Sequence, residues 1–168
     1  MTVPIYLDYN ATTPIAPDVA AAMQPFLLAE FGNPSSAHGR GERARQAVAV
    51  ARAELAALIG AGPGEIVFTA SATEANNLAL LGVARALPNK RHIVLSAVEH
   101  PAVMRPALHL RELGWEVSIV AVDANGRVDQ AAVATALRPD TVLVSIMHAN
   151  NEVGTLQPIA EIAALAHA

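Results

Sequence analysis

The chain has 168 residues, 53% hydrophobic, 15% charged and 4% aromatic, with a formal net charge of −4. That length suits one domain, and the apolar fraction can fill a core, which excludes a disordered segment. The acidic balance argues against a nucleic-acid surface, and the absence of cysteine excludes a disulfide scaffold, a thiolate metal site and a cysteine nucleophile among these residues.

The first eight residues carry no basic region followed by a long apolar run, so they do not read as a signal peptide. No apolar run approaches the roughly 18 residues of a membrane span. The expectation is a cytoplasmic protein without membrane contact. Residues 5–7 make a short extended start, and Asn10 to Pro14 a loop. The pattern predicts a helix over 17–30, with Pro17 in its first turn and Pro25 set to kink it or end it early. Residues 31–36 form a second loop. A clearer helix is predicted over 42–59, where Ala44, Val48, Ala51, Leu55 and Leu58 recur on one face. Arg40, Arg43, Arg45 and Arg52 read as a solvated helix face, and Gly60 as the stop.

Short apolar runs then alternate with helical ones. Strands are predicted over 66–68, 93–95, 115–122 and 141–147. Helices are predicted over 73–87, over 101–113 with Pro106 inside, over 129–137 capped by Asp129, and from Ile159 onward behind Pro158. This is an α/β pattern, a mainly parallel sheet with helices on both faces. The last helical pattern shows no stop signal, so the chain reads as the front part of something longer.

Ligands of open α/β sheets bind beyond the carboxyl ends of the strands. Three of the four predicted strands end there in polar clusters: Thr69-Ala70-Ser71-Ala72-Thr73-Glu74, Ser96-Ala97-Val98-Glu99-His100 and His148-Ala149-Asn150-Asn151-Glu152. Ser71 and Glu74 have capping-box spacing, and a helix start among small residues attracts phosphate through its N–H groups. The plainer reading is a well-made N-cap that binds nothing. His100 precedes Pro101 at a helix start, where its flat ring either stacks on an aromatic ligand and shuttles a proton, or simply caps. Asn150 and Asn151 are either ligand-facing amides or a turn-forming pair. His38, His92, His109 and His167 show no metal-ligand spacing, and no metal site is expected.

Taken in order, Tyr6-Leu7-Asp8-Tyr9-Asn10-Ala11-Thr12-Thr13-Pro14, Phe31-Gly32-Asn33-Pro34-Ser35-Ser36-Ala37-His38, Glu65-Ile66-Val67-Phe68-Thr69 with Ala72-Thr73-Glu74, Glu99-His100 and Met147-His148-Ala149-Asn150-Asn151-Glu152-Val153-Gly154 resemble the amino-terminal part of a cysteine desulfurase. These are pyridoxal-phosphate enzymes of the class V aminotransferase group, with the aspartate-aminotransferase-like (fold type I) large domain. The segments at 32–38 and 150–154 resemble the branch serving iron–sulfur cluster assembly. The resemblance implies an N-terminal segment over 1–15 and an incomplete cofactor-binding large domain over 16–168. It implies an enzyme that converts L-cysteine to L-alanine and passes the sulfur on as a persulfide.

By the same resemblance, Ala72 and Thr73 hold the pyridoxal 5′-phosphate at the helix start. His100 stacks over the ring and helps proton transfer, and Asn151 hydrogen-bonds the ring's hydroxyl oxygen. Ser71 stands where the family usually has glycine. The family's cofactor-binding lysine and persulfide-forming cysteine lie beyond residue 168. Lys90, the one lysine of the sequence, precedes a strand and so falls on the opposite rim, roughly 20 Å away at the rise of a six-residue strand. This chain by itself is therefore expected to be inactive, and with the 66–68 strand separated from the other three, poorly stable. The implied partners are L-cysteine, a sulfur acceptor or iron–sulfur scaffold protein, and a second copy in a homodimer, with no nucleic acid and no membrane. Other class V pyridoxal enzymes, such as a selenocysteine lyase or an aminotransferase, stay open as alternatives, as does a non-catalytic truncated relic.

Overall fold

The computed structural model of the protein describes residues 4–168, which cluster into two units divided between Phe68 and Thr69. The first unit holds helices α1 (Pro17–Leu28) and α2 (Gly39–Ile59). Pro17 opens α1, and Pro25 sits inside it. The helix runs through Pro25 to Leu28, two residues short of the predicted end, and the Pro25 carbonyl accepts the closing bond from Ala29 N at 2.9 Å. α2 begins three residues before the predicted start at residue 42, because His38 caps it: Nδ1 accepts from Gly41 N at 3.3 Å. It stops at Gly60, whose φ of 69° is the left-handed conformation that glycine adopts without a Cβ penalty.

Of the α2 arginines, Arg40, Arg43 and Arg45 are exposed, as a solvated face requires, and Arg52 is half-buried; each also holds a flanking group. Arg40 donates to Ala29 O at 3.1 Å and lies over the Phe31 ring, and Arg43 pairs with Glu30 at 2.9 Å. Arg45 binds Pro34 O at 3.1 Å and the Glu42 carboxylate, and Arg52 binds Ile66 O while its guanidinium covers Phe68. One expectation for this unit is corrected: residues 66–68 form no strand. A single 3-10 turn, Pro63–Glu65, leads into an extended Ile66, but its carbonyl is taken by Arg52 and it joins no ladder. An extended segment without a neighbour is not stable as a strand.

The second unit runs α3 (Ala72–Ala86), β1 (His92–Ser96), α4 (Pro101–Glu112), β2 (Glu116–Val120), α5 (Gln130–Ala136), β3 (Thr141–Ser145) and α6 (Ile159–His167). Both β2 and β3 pair parallel to β1, in the order β2-β1-β3. Every residue of β1 is buried, as a middle strand covered on both faces should be. Its alternate side chains serve two cores. Ile93 and Leu95 pack with Leu80 and Ala84 of α3 and with Val103, Ala107 and Leu110 of α4. Val94 faces the other way, towards Val120, Val128, Val133 of α5 and Ile162 of α6. The helices therefore lie on both faces, as the alternating pattern predicts. α4 passes through Pro106, which is buried, and still reaches Glu112.

Burial at the foot of β1 is polar and fully matched. His92 is inaccessible, with Nδ1 2.7 Å from Thr141 Oγ1 and Nε2 2.9 Å from Ser118 Oγ. It is a satisfied core histidine that bridges both neighbouring strands. Because all three strands run the same way, all three carboxyl ends meet one rim, and the loops that carry the Glu99–His100 and Asn150–Asn151 clusters start there.

Candidate functional site

The start of α3 is built by three short-range bonds. Ser71 is the N-cap, and its Oγ accepts from Glu74 N at 3.2 Å. The return bond of a capping box lands one residue upstream: Glu74 Oε2 accepts from Ala70 N at 2.7 Å. Thr69 Oγ1 donates to Ser71 O at 3.0 Å. These caps occupy Ala70 and Glu74. The N–H groups of Ala72 and Thr73 lie in the first turn, where an α-helix offers no carbonyl four residues back. Asn77, which the sequence reading passed over, donates Nδ2 to Thr73 O at 2.9 Å and stiffens that turn.

His100 is the N-cap of α4 and Pro101 its first residue. The His100 Nδ1 accepts from Ala102 N at 3.0 Å. That nitrogen therefore carries no proton in the bond, and Nε2 is the hydrogen-bearing nitrogen of the neutral ring. The ring is exposed. It lines a hollow of about 500 Å³ between α3 and α4, together with Thr73, Asn77, Leu81, Arg105 and His109. Two helix starts thus bring Thr73 and His100 into one cavity, with Arg105 on the same wall.

The two asparagines divide between structure and surface. Asn150 is buried, and its Oδ1 accepts from Glu152 N at 2.9 Å and Val153 N at 3.0 Å. Its Nδ2 reaches Val98 O at 3.4 Å. It builds the turn. Asn151 is exposed, with Nδ2 2.8 Å from Glu152 Oε1, and it is not among the residues lining the Thr73–His100 hollow. His148 is exposed, and its carbonyl accepts from Gln157 N at 2.9 Å.

A second hollow of about 750 Å³ opens on the same rim, lined by Glu99, Asp123, Asn125, Asn150, Glu152 and Thr155. Its two best-defined carboxyls are held in opposite directions. Burial pushes Glu99 above the ordinary carboxylate range, against the pull of bonds from Ser96 and Met147. Backbone N–H groups, that of Arg127 first, pull Asp123 below it. Gln157 does not line this hollow but braces its Gly126 segment, and it was not singled out from sequence. It is buried, with Oε1 accepting from Val128 N at 2.8 Å and Nε2 donating to Gly126 O at 2.7 Å. Among the described residues no group of His, Asp and Glu is placed to hold a metal ion, and no helix is long and apolar enough to cross a membrane.

A family model, that of aminotransferase class V, matches residues 5–168. The chain belongs to the class V aminotransferase family. Among curated members, cysteine desulfurase IscS of Dictyoglomus turgidum is 51% identical over 163 residues, covering 96% of this chain and 41% of that protein. IscS 1 of Archaeoglobus fulgidus is 47% identical over 158 residues, covering 94% and 41%. A solved NifS-like protein superposes with a TM-score of 0.94 at 40% identity, over 97% of this chain and 45% of that one. SspA, solved in complex with cysteine, gives 0.91 at 42% identity, over 96% and 47%. The chain thus spans about two fifths of the length of the curated relatives it matches.

Class V aminotransferases and cysteine desulfurases are pyridoxal-phosphate enzymes, so the rim can be tested against that group. The first turn of α3 suits a phosphate, by its N–H donors and by the helix dipole. An exposed imidazole in the same hollow suits an aromatic ring. The lysine that attaches the cofactor has no counterpart on this rim. Lys90 lies two residues before β1 begins, at the amino end of the sheet.

Proposed function

We propose that this chain supplies the phosphate-holding and ring-holding side of a pyridoxal 5′-phosphate site in a cysteine desulfurase serving iron–sulfur cluster assembly. The observation that carries the reading is the shared hollow of Thr73 and His100 at two adjacent helix starts. Ala72 and Thr73 bind the phosphate through backbone N–H groups and the Thr73 hydroxyl. His100 would lie against the ring and present Nε2, the nitrogen that the helix cap does not use, towards the site of proton transfer. Asn151 donates to the ring's hydroxyl oxygen once its amide leaves Glu152. When bound, the cofactor draws electron density from the substrate into its ring. The substrate of this reading is L-cysteine, with L-alanine and a transferable sulfur as products. Its partners are a sulfur acceptor or scaffold protein and a second copy of the enzyme, in the cytoplasm. The half-identity to cysteine desulfurases along nearly the whole chain supports this.

Because no lysine stands on the rim, binding to this chain is non-covalent there. Pyridoxal phosphate titrated into the full chain is expected to shift the amide signals of Ala72 and Thr73 and the ring signals of His100. Thr73→Val and His100→Ala are each expected to weaken binding by about fivefold or more, the scale of one lost polar contact. Pyridoxal without phosphate should be indifferent to Thr73→Val. Shifts confined to other parts of the chain, or variants that bind like the parent, would refute the assignment.

A further inference from the structure

Glu99 and His100 are consecutive, yet they face different hollows. Glu99 Oε1 accepts from Ser96 Oγ at 2.7 Å and from Met147 N at 2.7 Å. Ser96 is the last residue of β1, and Met147 lies two residues beyond β3. One oxygen therefore joins the carboxyl ends of two adjacent strands. The next residue along the chain is the His100 cap. The loop after β3, fastened at Met147, goes on to Asn150 and Asn151. A second tie, Asn150 Nδ2 to Val98 O at 3.4 Å, joins the same two loops.

We propose that Glu99 is a positioning residue of this site: it fixes the loop carrying His100 against the loop carrying Asn151. The proposal rests on the reading of those two residues as cofactor-facing. Glu99 itself is no candidate for proton transfer in the Thr73–His100 hollow, since it lines the neighbouring one. Both bonds are accepted by the same oxygen, so they survive whether or not the other oxygen holds a proton. Glutamine presents an equivalent Oε1 and should replace Glu99, whereas alanine cannot. Carboxylate chemistry would show the opposite pattern, with Gln as damaging as Ala.

The test is nuclear magnetic resonance on the full chain, comparing the parent with Glu99→Gln, Glu99→Ala and Ser96→Ala. In Glu99→Ala the Met147 amide should exchange about tenfold faster, the fold-change of one lost hydrogen bond, while the Val94 and Leu95 amides keep their protection. The His100 ring signals should move in Glu99→Ala and stay in place in Glu99→Gln. Ser96→Ala frees one of the two ties and should move the His100 signals part of the way. That variant and Glu99→Gln carry the test if Glu99→Ala fails to fold. The proposal is overturned if Glu99→Ala or Ser96→Ala leaves the His100 ring unmoved, or if Glu99→Gln behaves like Glu99→Ala. Pyridoxal phosphate is added last. A parent chain whose His100 ring ignores it refutes the cofactor reading, while the exchange data still decide whether the tie exists.

Discussion

His92 and Glu99 stand at opposite ends of the β1 region, and burial drives both towards their neutral forms. Desolvation, aided by Arg138 and opposed by Asp140 and Glu116, holds His92 below its ordinary value of 6.5. The unfolded chain therefore takes up the proton first. The stability contributed by neutral His92 is complete above pH 6.5 and is lost as pH falls through the lower folded value. Glu99 has the opposite sign. Its folded value is raised above 4.5, so its contribution is present below that pH and is lost as pH rises through the folded value. Urea midpoints measured from pH 4 to 8 should fall below pH 6.5 in the parent and lose that slope in His92→Gln. The same variant should cost about 1–3 kcal/mol at pH 8, because it strands one of the hydroxyls of Ser118 and Thr141. An unchanged slope would show that another group titrates there. At this scale the sequence was only partly legible. It marked His100 and the asparagine pair by their place after strands, and Thr73 by a helix start behind an apolar run that forms no strand. It could not tell the buried Asn150 from the displayed Asn151, because adjacent identical residues give no local signal of which one turns inward. The partners of Arg40, Arg45 and Arg52 were illegible for a related reason: they are carbonyls 11 and 14 residues away in sequence, outside any local pattern.

Helices were the legible elements, since a 3.6-residue period and its caps are written in contiguous residues. Strands were legible where neighbours exist. Residues 66–68 are as apolar as 93–95, but only the latter gain partners on both sides. The stripe on α2 shows the same limit: its period is helical, yet Leu58 remains 81% exposed and Ala44 is the one stripe residue that is buried. The entry to α2 yields a sharp contrast between two glycines. A Cβ on Gly41 would lie 2.8 Å from Asn33 O and against Ser36 O, both backbone atoms, whereas a Cβ on Gly39 meets nothing within 4 Å. Gly41→Ala should cost about 2 kcal/mol or more, and Gly39→Ala should stay within about 0.5 kcal/mol of the parent. Thermal melts of the two variants check this, and equal losses would mean that the loop at 33–36 can give way.

Over the whole molecule, apolar surface is left uncovered. Phe26, Leu27, Leu28 and Phe31 are exposed, as are Ile5 and Leu7, and α1 buries no residue at all. β2 and β3 each have one unpaired edge among the described residues. Such edges and patches favour association with other chains. The isolated chain should therefore self-associate in a concentration-dependent way, read by light scattering during size-exclusion chromatography. A monomer with one cooperative thermal transition would argue the other way. The rim itself is better braced. Gln157 grips both Gly126 and Val128, and Thr155 Oγ1 donates to Asn125 O, so the segments following β2 and β3 are laced to each other as well as to the sheet. Neither can swing without carrying its companion. Any breathing on this side of the protein is then the tilting of one shared plate, and relaxation measurements should report a common rate for Asn125 and Thr155.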